Sequence, residues 1–375
     1  MQIHYVTGSR ADFGLIVSTL QFLDNQDDFG VKVVATGQHT NSQYGDTIQE
    51  IVKSGLENVA TVPVCLSGAD GAEMAKAIGA EIIGFVEVWQ ENRPDLVMVL
   101  GDRGEMLAAA IAAVHLGIHV VHIHGGELSG TVDESTRHAI SKMAHFHFVA
   151  SRDSEERLSK MGEHSDRIFC VGAPGLVGID KFIALGSREY HQEHRLGESD
   201  YSVVMLFHPT VQEAEQAANQ VKSICEALME SDCCGVILRP NSDAGGELID
   251  EFLDGFDTGG RFRIITHLAR SDFLKLVSNV DAIVGNSSCG IIESASLGTA
   301  CVNIGSRQNR RLRNENVIDC NSYEKRDVKA GLKRAWSIKG PFVNKYGDGN
   351  ASQRILEALR RLELSDDVLK KVNAY

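Results

Sequence analysis

Ten short apolar runs recur along the chain, and they show little of the apolar/polar alternation of a strand with one wet face. They are IHYVTG, VKVVATG, DLVMVLGD, HVVHIHGG and FHFVAS, then SVVMLFH, GVILRPN, FRIITHL, DAIVGN and ACVNIG. Runs that are apolar on both faces fit parallel strands covered by helices on either side. Longer stretches with helical spacing separate them, which is the rhythm of repeated βαβ units. The expected class is therefore α/β. Many runs end in Gly, Asn, His or Asp, where the chain must turn into a helix, and ligands of such sheets bind at those carboxyl ends.

The 375 residues suffice for two domains with separate cores. The stretch 172–186 (GAPGLVGIDKFIALG), followed by the polar SREYHQEHRLGESDY, divides the two series of five runs. We expect a first Rossmann-like domain over 1–185, a second over 186–350, and a terminal helix over 351–375. Ile355, Leu359 and Leu362 give that helix an apolar stripe with which to pack back on the first domain. The two domains are expected to face a cleft.

Charge narrows the partners. Lys and Arg number 37 against 51 Asp and Glu, and the resulting charge of −14 opposes non-specific attraction to nucleic acid or an anionic membrane. An anionic ligand must meet a local positive site. The longest apolar stretch, 107–123, is interrupted by His115, Gly117, His119 and His122 and reads as a helix followed by a strand. Arg10 and Asp12 arrive before any signal-peptide core could form. The eight cysteines contain no C-x-x-C pair, and Cys233-Cys234 is poor material for a disulfide framework or a zinc knot. A reducing, cytoplasmic setting is expected.

Four loops carry the candidate chemistry. GSRADFG follows the first run, with glycines for a tight turn, Arg10 as a forked cation and a helix whose free N–H groups suit an anion. It matches neither G-x-G-x-x-G nor a P-loop. In LGDRGEM, Asp102 and Arg103 leave a buried strand and Glu105 opens the next helix; Asp102 could cap that helix or face a ligand. HIHGGELSGTVDESTRHAI is the densest titratable cluster, holding His122, His124, Glu127, Asp133, Glu134, Arg137 and His138. Alternation puts His122 and His124 on one strand face, and His145 and His147 repeat the spacing, so a zinc hydrolase is a distant alternative. No H-E-x-x-H accompanies them. VGNSSCGIIESASLG sets Ser287, Ser288 and Glu293 about a helix expected to begin near Ile291. Its hydroxyls and N–H groups could hold a diphosphate, or simply cap the helix.

Two further strand ends offer His208 in LFHPT and Arg239, Asn241 and Asp243 in LRPNSDAGG. The basic run Arg307, Arg310, Arg311 and Arg313 could touch phosphate, touch a neighbouring subunit, or form a solvated face.

Taken in order, GSRADFG, GDR, HIHGGELSGTVDESTRHAI, FHP, RPNSDAGG and GNSSCGIIESASLGTACVNIGSRQ resemble the hydrolysing UDP-N-acetylglucosamine 2-epimerases over almost the full chain. The resemblance implies a glycosyltransferase-B-like fold and release of UDP with a free sugar inverted at carbon 2, typically N-acetylmannosamine for sialic-acid synthesis. It implies a UDP-sugar as partner, no metal or redox cofactor, and a homo-oligomer, either dimer or tetramer. By motif match, Arg10, Arg103, His208, Asn241, Ser287, Ser288, Glu293 and Arg307 look like UDP-site residues, while Asp102 and Asp133 look like active-site carboxylates. The sialic-acid enzymes of the family are expected to carry a carboxylate nine residues before the Asp133 position. Here that residue is His124, with Glu127 three positions on. Either His124 moves the proton, or Glu127 turns in from the Gly125-Gly126 loop. The same departure leaves two substrates open: UDP-N-acetylglucosamine, placed first, and UDP-N,N'-diacetylbacillosamine, used for legionaminic-acid synthesis by relatives with this pattern.

Overall fold

All ten apolar runs become parallel strands in the computed structural model, which describes residues 1–41, 47–64, 71–129, 133–183, 190–191, 196, 199–240, 245–266 and 268–375. One compact unit holds most of residues 1–177 together with 346–375; the other holds most of 178–345. The first contains β1 (Gln2–Thr7), β2 (Gly30–Ala35), β3 (Glu57–Thr61), β4 (Leu96–Leu100), β5 (His119–Ile123), β6 (Phe146–Val149) and β7 (Ile168–Cys170) in the order β3-β2-β1-β4-β5-β6-β7. The second contains β8 (Tyr201–Leu206), β9 (Cys233–Leu238), β10 (Phe262–Ile265), β11 (Ala282–Gly285), β12 (Ala300–Ile304) and β13 (Val317–Cys320) in the order β10-β9-β8-β11-β12-β13.

The interior strands bury both their faces. Ile3 and Tyr5 of β1 join one core, with Met98 of β4, while Val6, Val97 and Val99 join another on the opposite side of the sheet. In the second unit Val203 and Met205 face one core and Val204 the other. The strands β3, β7 and β13 were not marked by an apolar run, and all three lie at sheet edges. The fold is α/β, of the glycosyltransferase-B-like class, with two Rossmann-like units. The helix Ala351–Leu359 sits in the first unit, where Ile355, Leu356 and Leu359 share a core with Leu20 and Leu23 and Ser352 bonds Thr19 at 2.8 Å. Among the described residues, no helix is long and apolar enough to cross a membrane.

The helix Gly71–Glu91 packs on the first sheet through Phe85 and Trp89 and carries a buried carboxyl, Glu81. The Thr36 hydroxyl lies 2.9 Å from the Val62 carbonyl oxygen and 3.0 Å from Glu81 Oε1. One hydroxyl has one proton, and the carbonyl can only accept, so a protonated Glu81 donating to Thr36 satisfies both contacts. Burial, reinforced by the negative charge of Glu105, accordingly holds this carboxyl well above the usual carboxylate range. A carboxyl raised in the folded state ionises first in the unfolded chain, so its contribution to stability falls as pH rises above the ordinary glutamate value. Glu81→Gln, which copies the neutral acid, should raise the melting temperature at pH 8 by about 2–4 °C or more and change it little at pH 5. Equal shifts at the two pH values would refute the protonated assignment.

Candidate functional site

Both sheets reverse their winding direction, the first between β1 and β4 and the second between β8 and β11. Loops leaving the two strands at such a point diverge and open a crevice at their carboxyl ends. The candidate residues gather at or beside these two places.

At the first, Ser9 caps the helix Arg10–Asp24, its hydroxyl oxygen accepting from the Asp12 N–H at 3.4 Å. Asp12 answers by accepting from the Ser9 hydroxyl at 2.8 Å, the Gly8 N–H at 3.2 Å and the Thr7 hydroxyl. This reciprocal capping fixes the turn and leaves Arg10 at its outer edge, 3.1 Å from Glu50. Burial pushes the Asp12 carboxyl up to about 6, although the Thr7 and Ser9 hydroxyls pull it down. From β4, Arg103 donates to both oxygens of Glu105 at 3.2 Å. A Cβ added to Gly8 would lie 2.7 Å from Glu105 Oε1, so the arginine's partner needs glycine there. Asp102 does not cap the following helix, Gly104–His115, whose N-cap is Arg103. Its carboxylate instead receives the guanidinium of Arg137, a residue 1% exposed.

The next strand carries the histidines. His122 lies wholly buried, with Nε2 2.7 Å from the Gly101 carbonyl and Nδ1 2.9 Å from the Ser141 hydroxyl. The carbonyl only accepts, so Nε2 carries the hydrogen and Nδ1 receives that of Ser141. Burial lowers this imidazole to about 3, and it stays neutral. His124 does not share its face. The strand ends at Ile123, and His124 has φ 64°, which swings its ring out of the alternation. There Nδ1 meets Glu127 Oε1 at 2.5 Å. The two residues that sequence reasoning set as alternatives form one hydrogen-bonded pair, with Nε2 of His124 as its second proton site. Arg137 donates to the Glu127 carbonyl at 3.1 Å as well as to Asp102, joining both elements of the cluster. Asp133 opens the helix Asp133–Met143 that carries Arg137.

A shared metal site does not arise from these histidines. Both nitrogens of His122 are occupied, and His147, its register partner on β6, is bound to Glu163 at 2.9 Å. Among the described residues, no group of three His, Cys, Asp or Glu side chains is placed to hold a metal ion.

In the second unit the hub is Asn286, 1% exposed and immediately after β11. Its side chain accepts from the His208 N–H at 2.7 Å and donates to the His208 carbonyl at 2.8 Å, tying the loops after β8 and β11 together. Its own carbonyl accepts from Arg307 at 3.2 Å and Gln308 at 3.0 Å. Ser287 and Ser288 follow. The helix comprises only Cys289–Ile292, starting earlier than expected, and its Gly290 packs against Cys301 of β12, where a Cβ would lie 2.5 Å from the sulfur. Ser288 makes no side-chain capping bond, and Glu293 stands at the helix's C-terminal end rather than in its first turn. Glu293 is buried and held by Arg270 at 2.6 Å. Arg239 is bound to Asp250 and Asp254 on the helix Gly246–Asp254, and Arg313 to Asp319. Asn241 and Asp243 lie outside the described residues.

Sequence reasoning thus found the residues that end strands but passed over Asn286 and Arg270, and it left Arg137 as one member of a cluster. The signal for Asn286 was present, an amide straight after a buried strand in VGNSS. Arg137 had none, since its partner Asp102 is distant in sequence.

The model of the family described as UDP-N-acetylglucosamine 2-epimerase matches residues 21–360. A Legionella pneumophila protein described as UDP-N,N'-diacetylbacillosamine 2-epimerase (hydrolyzing) is 44% identical, over 100% of this chain and 99% of its own. A Campylobacter jejuni protein described as GDP/UDP-N,N'-diacetylbacillosamine 2-epimerase (hydrolyzing) is 30% identical over 85% of this chain and 84% of its own. The solved structure of UDP-GlcNAc 2-epimerase from Neisseria meningitidis bound to UDP-GlcNAc shares the fold with a TM-score of 0.78 at 20% identity, covering 96% of this chain and 100% of that one.

Asn286→Ala would remove the amide that bonds both the N–H and the carbonyl of the half-buried His208, and should lower stability to urea by about 2–3 kcal/mol. An unchanged unfolding midpoint would mean that the two loops are held by other contacts.

Proposed function

The chain belongs to the UDP-N-acetylglucosamine 2-epimerase family, and on that premise we propose that it hydrolyses UDP-N,N'-diacetylbacillosamine to UDP and the free 2,4-diacetamido sugar inverted at carbon 2. The likeness that supports this choice of sugar over UDP-N-acetylglucosamine, placed first on sequence alone, is the 44% identity to the Legionella protein over nearly the whole of both chains. The product would feed legionaminic-acid synthesis.

The chemistry makes two demands. Carbon 2 becomes acidic only as UDP departs and positive charge develops at carbon 1, so a base must act in step with leaving-group departure. The resulting glycal then takes water at carbon 1 and a proton at carbon 2 from the opposite face. The departing diphosphate needs cations and N–H donors, and the ring needs two proton-transfer groups.

In this reading Asp102 and the His124–Glu127 pair supply the proton transfers. The Glu127 carboxylate accepts from Nδ1, orients the ring and stabilises the imidazolium formed when Nε2 takes a proton, as the acid does in a Ser-His-Asp triad. Arg137 keeps Asp102 an oriented carboxylate. Asp133, in the first turn of its helix, is a third carboxylate for the sugar. Ser287, Ser288, His208 and Arg307 hold the diphosphate, and Glu293 receives ribose hydroxyls. Arg10 and Arg103 keep the UDP-binding role that the resemblance to the family implies.

Proton NMR in deuterated water should show UDP and a free 2,4-diacetamido sugar deuterated at carbon 2. The rate constant kcat/KM should exceed that for UDP-N-acetylglucosamine by about 10–200-fold, as expected when a pocket discriminates by small groups. Equal or faster turnover of UDP-N-acetylglucosamine would overturn the choice of sugar. Asp102→Asn and His124→Ala should each lower kcat by about 10²–10⁴-fold with UDP affinity nearly intact. Near-native rates in either would remove that residue from the chemistry.

A further inference from the structure

We infer that Lys371 is a remote positioning residue, whose buried ammonium fixes the helix Asp133–Met143 and through it the catalytic carboxylate Asp102. The inference rests on the assignment of Asp102 to the reaction.

The helix grips the Asp102 loop twice. Arg137 and Ser141 are four residues apart, hence on one face, and both are buried. Arg137 holds the Asp102 carboxylate. The Ser141 hydroxyl donates to His122 Nδ1 at 2.9 Å, and His122 Nε2 donates at 2.7 Å to the carbonyl of Gly101, the residue before Asp102. Gly101 has φ 85°, so this peptide occupies a conformation that needs to be held. One contact sets the carboxylate and the other sets the backbone that bears it.

The helix position is set in turn from its C-terminal end. Lys371 Nζ donates to the Ser141 carbonyl at 3.0 Å and the Ala144 carbonyl at 2.6 Å, carbonyls that a helix end leaves without intrahelical partners. It also meets Glu163 Oε2 at 2.6 Å, and its side chain is 15% exposed. Glu163 is shared with Lys142 at 2.6 Å and His147 at 2.9 Å. The neighbouring residues dock too: Asn373 accepts from Lys142 at 2.6 Å, and the Ala374 N–H donates to the Gly162 carbonyl at 2.9 Å. An apolar side chain would fill the same space without the desolvation cost of a buried ammonium. What the ammonium adds is direction, since its three protons reach two named carbonyls and one carboxylate.

The test uses the full chain and the sugar nucleotide that the wild type turns over. Lys371→Met should lower kcat about 10-fold, the scale of a sub-ångström misplacement, with KM and UDP affinity within about twofold. Lys371→Arg should recover most of the loss, and Lys370→Ala, at an exposed position paired with Asp367, should change nothing. Ser141→Ala should cost a similar factor, and combining it with Lys371→Met should give less than the product of the two, because loss of the Ser141–His122 contact is common to both. Long-range ¹⁵N NMR of the histidines supplies a readout that needs no turnover: the His122 signals should shift in Lys371→Met as they do in Ser141→Ala. A folded Lys371→Met with native kcat, multiplicative losses in the double variant, or unmoved His122 signals would each overturn the inference. If Lys371→Met fails to fold, Lys371→Gln takes its place under the same criteria. Absence of turnover in the wild type would instead count against the proposed function, while the NMR comparison would still decide the link from Lys371 to His122.

Discussion

In a parallel sheet wound to both sides of its first strand, the loops leaving the two central neighbours turn toward opposite faces. The backbone cannot fill the space between them. This chain makes that reversal twice, at β1/β4 and β8/β11, and its polar side chains at those points are held by partners from elsewhere in the same unit. Asp102 depends on Arg137, Glu293 on Arg270, and the loops after β8 and β11 on Asn286. The sheet creates the opening, while these buried polar residues determine which way the exposed groups face.

How much of this could be read beforehand follows from where each signal resides. The ten strands that announced themselves as apolar runs include nine buried in the sheet interiors and β10 at an edge; β3, β7 and β13, with one neighbour each, carried no such run. An edge strand such as VIDC at Val317–Cys320 has exposed positions and so loses the unbroken apolar pattern. The site was legible to the same extent. Residues placed by strand ends, such as Asp102, His208 and Ser287, are local consequences of sequence. Arg137 and Arg270 reach their partners only after the fold forms, and no spacing rule could have paired them. The assignment of His122 and His124 to one face assumed that alternation continued past Ile123, and a left-handed residue at His124 ended it.

Burial also decides which of the many histidines can take part in proton traffic. His4 and His145 are lowered to about 4 and His122 to about 3, chiefly by desolvation, and His147 is lowered as well. Such rings stay neutral near neutral pH, and His145 in that state accepts from the Val120 N–H. Within HIHGG the two histidines therefore divide the labour. His122 braces the peptide before Asp102, and His124 pairs through Nδ1 with Glu127.

That division bears on the departure from the sialic-acid pattern. With Glu127 turned inward and 4% exposed, a carboxylate at position 124 would bring two acidic groups together in a poorly solvated pocket. Like charges at such a distance cannot both ionise readily, and one would be driven to hold its proton. A histidine at 124 converts the same juxtaposition from repulsion into a hydrogen bond, and lets Glu127 be buried as an acceptor. The substitution at 124 and the inward glutamate at 127 are thus physically coupled. A carboxylate at residue 124 would alter the state of residue 127, so the two side chains are one unit rather than two independent choices.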